Sequence, residues 1–386
     1  MIRHIGATFA LTAYAFAASG GFLAPAPVKT NGIDGAFING KHGGSLSALG
    51  QISTEDDSFL YGYADLFFTT ASYLGFRGDI GLSGVGLWWK DDDAVFSKDK
   101  ATMHTANLGF FADQFSVAFG RGKLDLVLAR SYYQGAVAEL KPNDQFSVRG
   151  AYIKSKALAD YDAGQVFSDF NKFNDDGAIA IDVGFKAGDL YANPYLYHAF
   201  DIATWFGGKV VFDRLKNDNG FALTGHLAAS AEDDETGVED GFFLELQGDF
   251  KLNTDLSFFG GFALAGSDGL GSIRGLGESY HVTGAKGRAN TINPFWDAGC
   301  QMFTLEAKTL YAGAEFTRDR LWAGAMLGVT SAKDDDYYEI DIRGEYAITK
   351  SFIAEAAFVT GDFGDNRDNA VLDNQTQIKF GVRYLF

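Results

Sequence analysis

The chain has 386 residues and a formal net charge of −18, with 48 Gly, 36 Phe and 17 Tyr against only 5 Pro and 1 Cys. A single Cys excludes an internal disulfide framework, and the acidic balance argues against a nucleic-acid partner, because phosphate binding wants clustered Lys and Arg. Mean hydropathy is −0.05, and past the N-terminus no run of about 18 apolar residues occurs that would make a helical anchor.

At the start of the chain, Arg3 and His4 supply a short positive region, and Ile5 to Ala18 form an apolar run too short to cross a bilayer comfortably. Ala15-Phe16-Ala17 offers the small-x-small pattern that a signal peptidase reads. The pattern predicts a signal peptide at 1–18, a periplasmic N-terminal segment at 19–43 and a β-barrel over 44–386. An exported chain rich in Gly and aromatic residues points to the bacterial outer membrane. Short membrane-crossing strands need aromatic side chains toward lipid and Gly for close packing and tight turns.

Beyond residue 43 a period of two dominates. Strands are predicted at 44–53, 58–70, 73–90, 104–112, 115–121, 132–140, 145–154, 177–187, 189–198, 205–212, 220–230, 241–252, 255–266, 304–317, 320–331, 337–347, 351–360 and 375–386. Phe242, Leu244 and Leu246 alternate with Glu245 and Gln247, and a turn at Asn253-Thr254 leads into Leu256 and Phe258. Tyr338, Ile340 and Ile342 alternate with Glu339, Asp341 and Arg343 before a turn near Thr349. In the last strand Ile378, Phe380, Val382, Tyr384 and Phe386 alternate with Gln377, Lys379 and Arg383, and a terminal aromatic is the mark of a barrel's closing strand. The fold class expected is all-β, a transmembrane antiparallel β-barrel of about eighteen strands, or sixteen if one hairpin is miscounted.

Connections alternate in length along most of the chain. Short ones fall near Ala71, Asp113, Pro142, Gly188, Asn253, Asp319 and Thr349, and long ones cover 91–103, 155–176, 231–240, 267–303 and 361–374. Outer-membrane barrels pair short periplasmic turns with long external loops, so the alternation assigns an orientation as well as a class.

Asp91-Asp92-Asp93, Glu232 to Glu235 and Asp334-Asp335-Asp336 fall in connections assigned outside. Their oxygens suit Ca²⁺ or Mg²⁺, but none has calcium-loop spacing, and a solvated acidic loop beside divalent-bridged lipopolysaccharide is the simpler reading. No cofactor is expected, and no metal site is assigned. No zinc-type His spacing, Gly-x-Ser-x-Gly elbow or phosphate loop occurs. His226 and Ser230 share a strand face, a coincidence too common to support an enzyme. Cys300 lies in the 267–303 connection as an incidental thiol.

What remains is the inward face. Alternation projects Arg77, Asp79, Glu139, Arg149, Asp182, Lys186, Glu245, Asp249, Lys251, Glu339, Asp341, Arg343, Glu345, Glu355, Lys379 and Arg383 into the lumen. Such residues suit a water-filled channel, and an acidic excess among them favours cations.

Three segments carry a family resemblance. Gly32-Ile-Asp-Gly-Ala-Phe-Ile-Asn-Gly-Lys41, Gly120-Arg121 followed by Tyr133 to Leu140, and Tyr191-Ala-Asn-Pro-Tyr-Leu-Tyr197 resemble, in strand order, the Opr-type porins of the Campylobacter group, which include its major outer-membrane porins. That resemblance implies an eighteen-stranded, commonly trimeric porin whose third and fourth external loops narrow the pore. On this sequence those loops are 122–131 and 155–176, with Arg121 beside the constriction. The sequence departs from the substrate-specific members in lacking a dense arginine ladder. The function expected is passive diffusion of small hydrophilic solutes and ions with a cation preference, in contact with outer-membrane lipid and lipopolysaccharide. The alternatives are a solute-specific channel of the same fold or a surface adhesion barrel with a narrow lumen.

Overall fold

The computed structural model describes residues 22–23, 28–54, 58–91, 100–159, 168, 170–172, 174–215, 219–267, 305–333, 335–362 and 375–386. Among these residues the chain forms eighteen long strands: β1 (Lys41–Ser53), β2 (Phe59–Thr69), β3 (Phe76–Lys90), β4 (Lys100–Phe111), β5 (Phe115–Lys123), β6 (Tyr132–Asn143), β7 (Phe146–Ala157), β8 (Ala178–Ala187), β9 (Leu190–Ala199), β10 (Ala203–Asp213), β11 (Phe221–Glu232), β12 (Phe242–Lys251), β13 (Leu256–Ala265), β14 (Lys308–Arg318), β15 (Leu321–Ser331), β16 (Asp336–Ala347), β17 (Phe352–Asp362) and β18 (Gln375–Leu385). Each pairs antiparallel with its chain neighbours. β1 pairs with β18 from Ser45↔Leu385 to Ser53↔Gln377, so the sheet closes on itself and leaves no open edge. All eighteen predicted strands are present, and the sixteen-strand alternative falls away. Ends shift by a few residues, as at β4, which begins at Lys100, and β14, which begins at Lys308.

The period of two fixes which side of each strand meets which medium. On β18 and just beyond it, Ile378, Phe380, Val382, Tyr384 and Phe386 are between 41% and 53% exposed, whereas Gln377 is buried facing the other way. The same outward row continues on other strands with Leu244's neighbours Phe242 and Leu246, with Leu310 on β14 and with Leu327 and Val329 on β15. An apolar surface of this extent is unsustainable in water and suits hydrocarbon. No described helix is long and apolar enough to cross a membrane, and the crossing is made by strands.

One rim carries the tight turns, and side-chain oxygens set them. Asn253 Oδ1 accepts from the Asp255 and Leu256 amides, each at 2.8 Å, and Asn143 Oδ1 accepts from Gln145 and Phe146, each at 2.9 Å. Thr349 Oγ1 accepts from Ser351 at 3.2 Å and Phe352 at 3.0 Å. Such local bonds mimic a backbone turn and hold the register of the hairpin they close. The opposite rim carries the long connections, but also the brief 200–202 and 332–335 links, so the length alternation is not strict.

At the short-turn rim, Lys29–Thr30 pairs in parallel with Ser72–Tyr73, and a short helix, α1 (Ile33–Ile38), rests on the same turn, where the Ala71 amide donates to Ala36 O at 2.8 Å. Farther back in the chain, Phe22 lies enclosed by the barrel. Its amide donates to Lys123 O at 3.1 Å and its carbonyl accepts from Arg77 Nη2 at 3.3 Å. The stretch 19–43, read from sequence as one periplasmic segment, therefore includes residues at the rim and residues inside the wall.

Candidate functional site

Between β5 and β6, residues 124–131 turn into the barrel. Leu124, Leu126, Val127, Leu128 and Ala129 would be exposed in an external loop. Folded inward, they join a buried cluster with Tyr195, Tyr197, Trp205, Phe243, Phe259, Tyr311 and Met326 from the inner faces of β9 to β15. The loop closes on itself through Leu124 N to Ser131 O and Leu126 N to Ala129 O, both at 3.1 Å. Polar groups then pin it to the wall. Asp182 accepts from the Val127 amide at 2.9 Å and from Tyr197 Oη at 2.6 Å, while Tyr197 Oη also accepts from the Leu128 amide at 3.2 Å. Arg149 reaches Asp125 O at 3.3 Å while bonded to Glu139 at 2.6 Å, and Ser131 Oγ donates to Ala157 O at 2.7 Å. Asp182 and Arg149, projected inward from sequence, thus hold the inward-folded loop.

Arg121 follows Gly120, whose φ of 122° breaks the pleat of β5. Its guanidinium lies 4.5 Å over the ring of Phe170, in the connection between β7 and β8, and donates to Met103 O at 3.5 Å. The two loops that the resemblance assigned to the constriction therefore both reach inward features of the wall. Of the second, 160–167, 169 and 173 lie outside the described residues.

Arg77 and Asp79 form a buried ion pair at 2.9 Å, with the guanidinium 4.3 Å over Phe111. Two strands are tied together nearby: His104 on β4 bonds Asp65 on β2 at 2.7 Å across Gly81 of the intervening β3, and bonds Thr105 Oγ1 at 2.9 Å through its other ring nitrogen. A Cβ on Gly81 would stand 2.5 Å from the imidazole, so any side chain there has to displace the ring.

The acidic group sits farther round. Glu339 and Asp341 are buried on β16, and Arg343 between the acids approaches Glu355 at 3.2 Å and Glu345 at 3.8 Å. Lys379 and Arg383 share the inward register of β18, opposite Gln51 and Ser47 of β1, with Gly381 between them paired to Glu355. On β12, Glu245 accepts from Tyr311 Oη at 2.7 Å and Asp249 from Gln247 Nε2 at 2.8 Å. Lys186 is exposed near the short-turn rim and Lys251 half-buried. The structure thus joins Arg77 with Asp79, Glu139 with Arg149, and Arg343 with Glu345 and Glu355.

Sequence reasoning missed the inward aromatic wall. Tyr195 and Tyr197 share the inward register with Asn193, whose amide donates to Val183 O at 3.1 Å, and that polar neighbour was the available signal. His226 bonds Tyr195 Oη at 3.0 Å, and Ser230 Oγ accepts from Gly241 N at 2.8 Å, so these two have separate partners. The lumen is accordingly less uniformly polar than the alternation of charges suggested, because the inward loop needs an apolar face to rest on. In the acidic loop after β11, Asp233 caps a short 3₁₀ turn, its carboxylate accepting from Glu235 N at 3.0 Å. Among the described residues no group of three or more His, Cys, Asp or Glu is placed to hold a metal. Asp92, Asp93, Asp334 and Cys300 lie outside the described residues.

No protein-family model matches the sequence, and no curated protein is significantly similar to it. Solved structures do match. Acinetobacter baumannii OccAB4 superposes with a TM-score of 0.70 at 14% identity, over 90% of this chain and 98% of that one. Pseudomonas aeruginosa OpdK, solved with vanillate, gives 0.72 at 11% identity over 91% and 100%. Pseudomonas aeruginosa OccK8 (OprE) gives 0.72 at 10% over 91% and 99%. At these identities the likeness is one of fold, and it does not single out the Campylobacter group. With an apolar exterior, a charged inner wall and an inward-folded loop, the chain is an eighteen-stranded β-barrel of the bacterial outer membrane with the porin fold.

Proposed function

We propose that the protein is a channel for passive diffusion of small hydrophilic solutes and ions, with a preference for cations, and that it has no enzymatic role. The carrying observation is the pinned loop 124–131. It folds into a closed barrel whose β16 and β17 carry Glu339, Asp341, Glu345 and Glu355 with Arg343 among them, next to the β15 end of the loop's buried cluster. Carboxylates act over roughly a Debye length of 8–10 Å at physiological salt, so a narrowed passage keeps their field effective where a wide one would screen it. Arg343, Lys379 and Arg383 temper that field, and the reading is preference, not exclusion. A trimer and kinship with the Opr-type porins belong to the same reading.

A second reading, a solute-selective channel, is favoured by the two-point fastening of the loop through Asp182 and Arg149 beside the Tyr195–Tyr197 wall, which offers shape as well as charge. OpdK, a structural neighbour, was solved with vanillate. Planar-bilayer recording decides: conductance linear in salt with a cation-shifted reversal potential supports the diffusion channel, and current that saturates with one solute supports the selective one. Absence of any conductance from folded protein overturns both.

A further inference from the structure

Among the described residues, helix α1 presents an apolar side that is only partly covered. Ala36 is buried on the β2–β3 turn, which fixes the helix, while Ile33, Phe37 and Ile38 are 63%, 60% and 81% exposed. Ile33 and Phe37, four residues apart, share one side of the helix. Leu74, in the turn on which the helix rests, is 72% exposed. Water is a poor medium for this group, so something covers it.

What covers it is indicated by where the face leads. Phe37 stacks nearly parallel on Phe68, ring centroids 6.5 Å apart at 7°. Phe68 stands in the outward register of β2 with Leu66, whereas Asp65 and Tyr63 of the same strand turn inward to His104 and Ala159. The helix face is therefore continuous with the lipid-facing exterior. Aromatic pairs carry the band round the same rim: Phe76 with Phe110 at 5.2 Å on β3 and β4, and Tyr384 with Phe386 at 6.0 Å on and just beyond β18. Exposed Asp34, Asn39 and Lys41 flank the apolar face with polar groups, as at a membrane–water boundary.

We infer that α1 is a lipid foot: the side of the helix that carries Ile33 and Phe37 is immersed in the phospholipid leaflet at the short-turn rim, and the N-terminal segment is thereby fastened to membrane as well as to barrel. This inference rests on the membrane barrel and not on what the channel passes.

Spin labels test it. In a Cys300→Ser background, nitroxides are placed through Phe37→Cys and Ile33→Cys, with Leu66→Cys as the lipid reference and Asp34→Cys as the aqueous one, and the protein is reconstituted in phospholipid vesicles. Labels at 33 and 37 are expected to collide with oxygen several-fold more than with a water-soluble nickel chelate, as at 66, and unlike 34. Collision ratios at both sites equal to that at 34 overturn the inference. So does spin–spin broadening that disappears on dilution with unlabelled protein, which would mean that a second copy covers the face. Two independent label sites keep the test decisive if one substitution impairs folding, and conductance of each variant, expected at the parent level, separates this outcome from any failure of the channel reading.

Discussion

Tyr197 donates its phenolic proton to one oxygen of Asp182 at 2.6 Å, and the other oxygen of that carboxylate holds the Val127 amide at 2.9 Å, so one wall residue fastens the inward loop to the barrel. Asp182→Ala removes both bonds and leaves a buried phenol and a buried amide unsatisfied, at a cost of about 1–3 kcal/mol each. The loop should loosen, single-channel conductance should rise and current noise should grow, with Tyr197→Phe showing a smaller effect. Parent-like conductance and noise in Asp182→Ala would show that the loop is held by its apolar packing alone.

Charge selectivity is addressed by amide substitution of Glu339, Asp341, Glu345 and Glu355 together. Reversal potential should move toward anions, more at low salt than at high, because screening shortens the reach of surviving charges. Arg343→Gln, which removes the cation bridging Glu355 and Glu345, should move it the other way. An unchanged reversal potential in the quadruple variant at low salt places the filter in the loops.

The wall's two media predict opposite fates for neighbours on β18. Phe380 is 44% exposed on the outer face, and an Arg there faces hydrocarbon at roughly 2–4 kcal/mol near the bilayer midplane. Phe380→Arg should impair assembly, read as loss of heat-modifiable migration, and Lys379→Gln should not. Equal assembly of both variants contradicts the assigned faces.

Gly81 lies beneath the His104 ring that reaches Asp65. Gly81→Ala should displace the imidazole and destabilise the barrel by about 1–3 kcal/mol, as overpacking does. His104→Ala should relieve most of the clash, so unfolding of the double variant should cost less than the two single changes combined. Strict additivity would show that the ring is free to move away.

Strand number and faces were legible in the sequence because lipid and water impose opposite demands on alternate residues, as Phe380 and Lys379 do. Inward aromatics were not. Trp205 and Tyr197 look lipid-facing by composition, and only their register with Lys209 and Asn193 reveals the other side. Nor could the pinning of loop 124–131 be read, since Asp182 stands 55 residues from Val127 and alternation says nothing about long-range partners. The contact of Phe22 with Lys123 and Arg77 is hidden likewise, since those partners lie 101 and 55 residues away in the chain.

The seam between β1 and β18 also works as a parity check. Register shifts between Leu60 and Tyr61, between Gly81 and Ser83, and at two places along β6 each displace the pairing, and their net effect must still present Lys379 to Gln51 on the inside. A one-residue slip at this seam would offer Phe380 and Val382 to the lumen and Lys379 and Arg383 to hydrocarbon, and the last strand would find no favourable mate. Such a chain keeps two unpaired edges, which are templates for aggregation and not a finished wall.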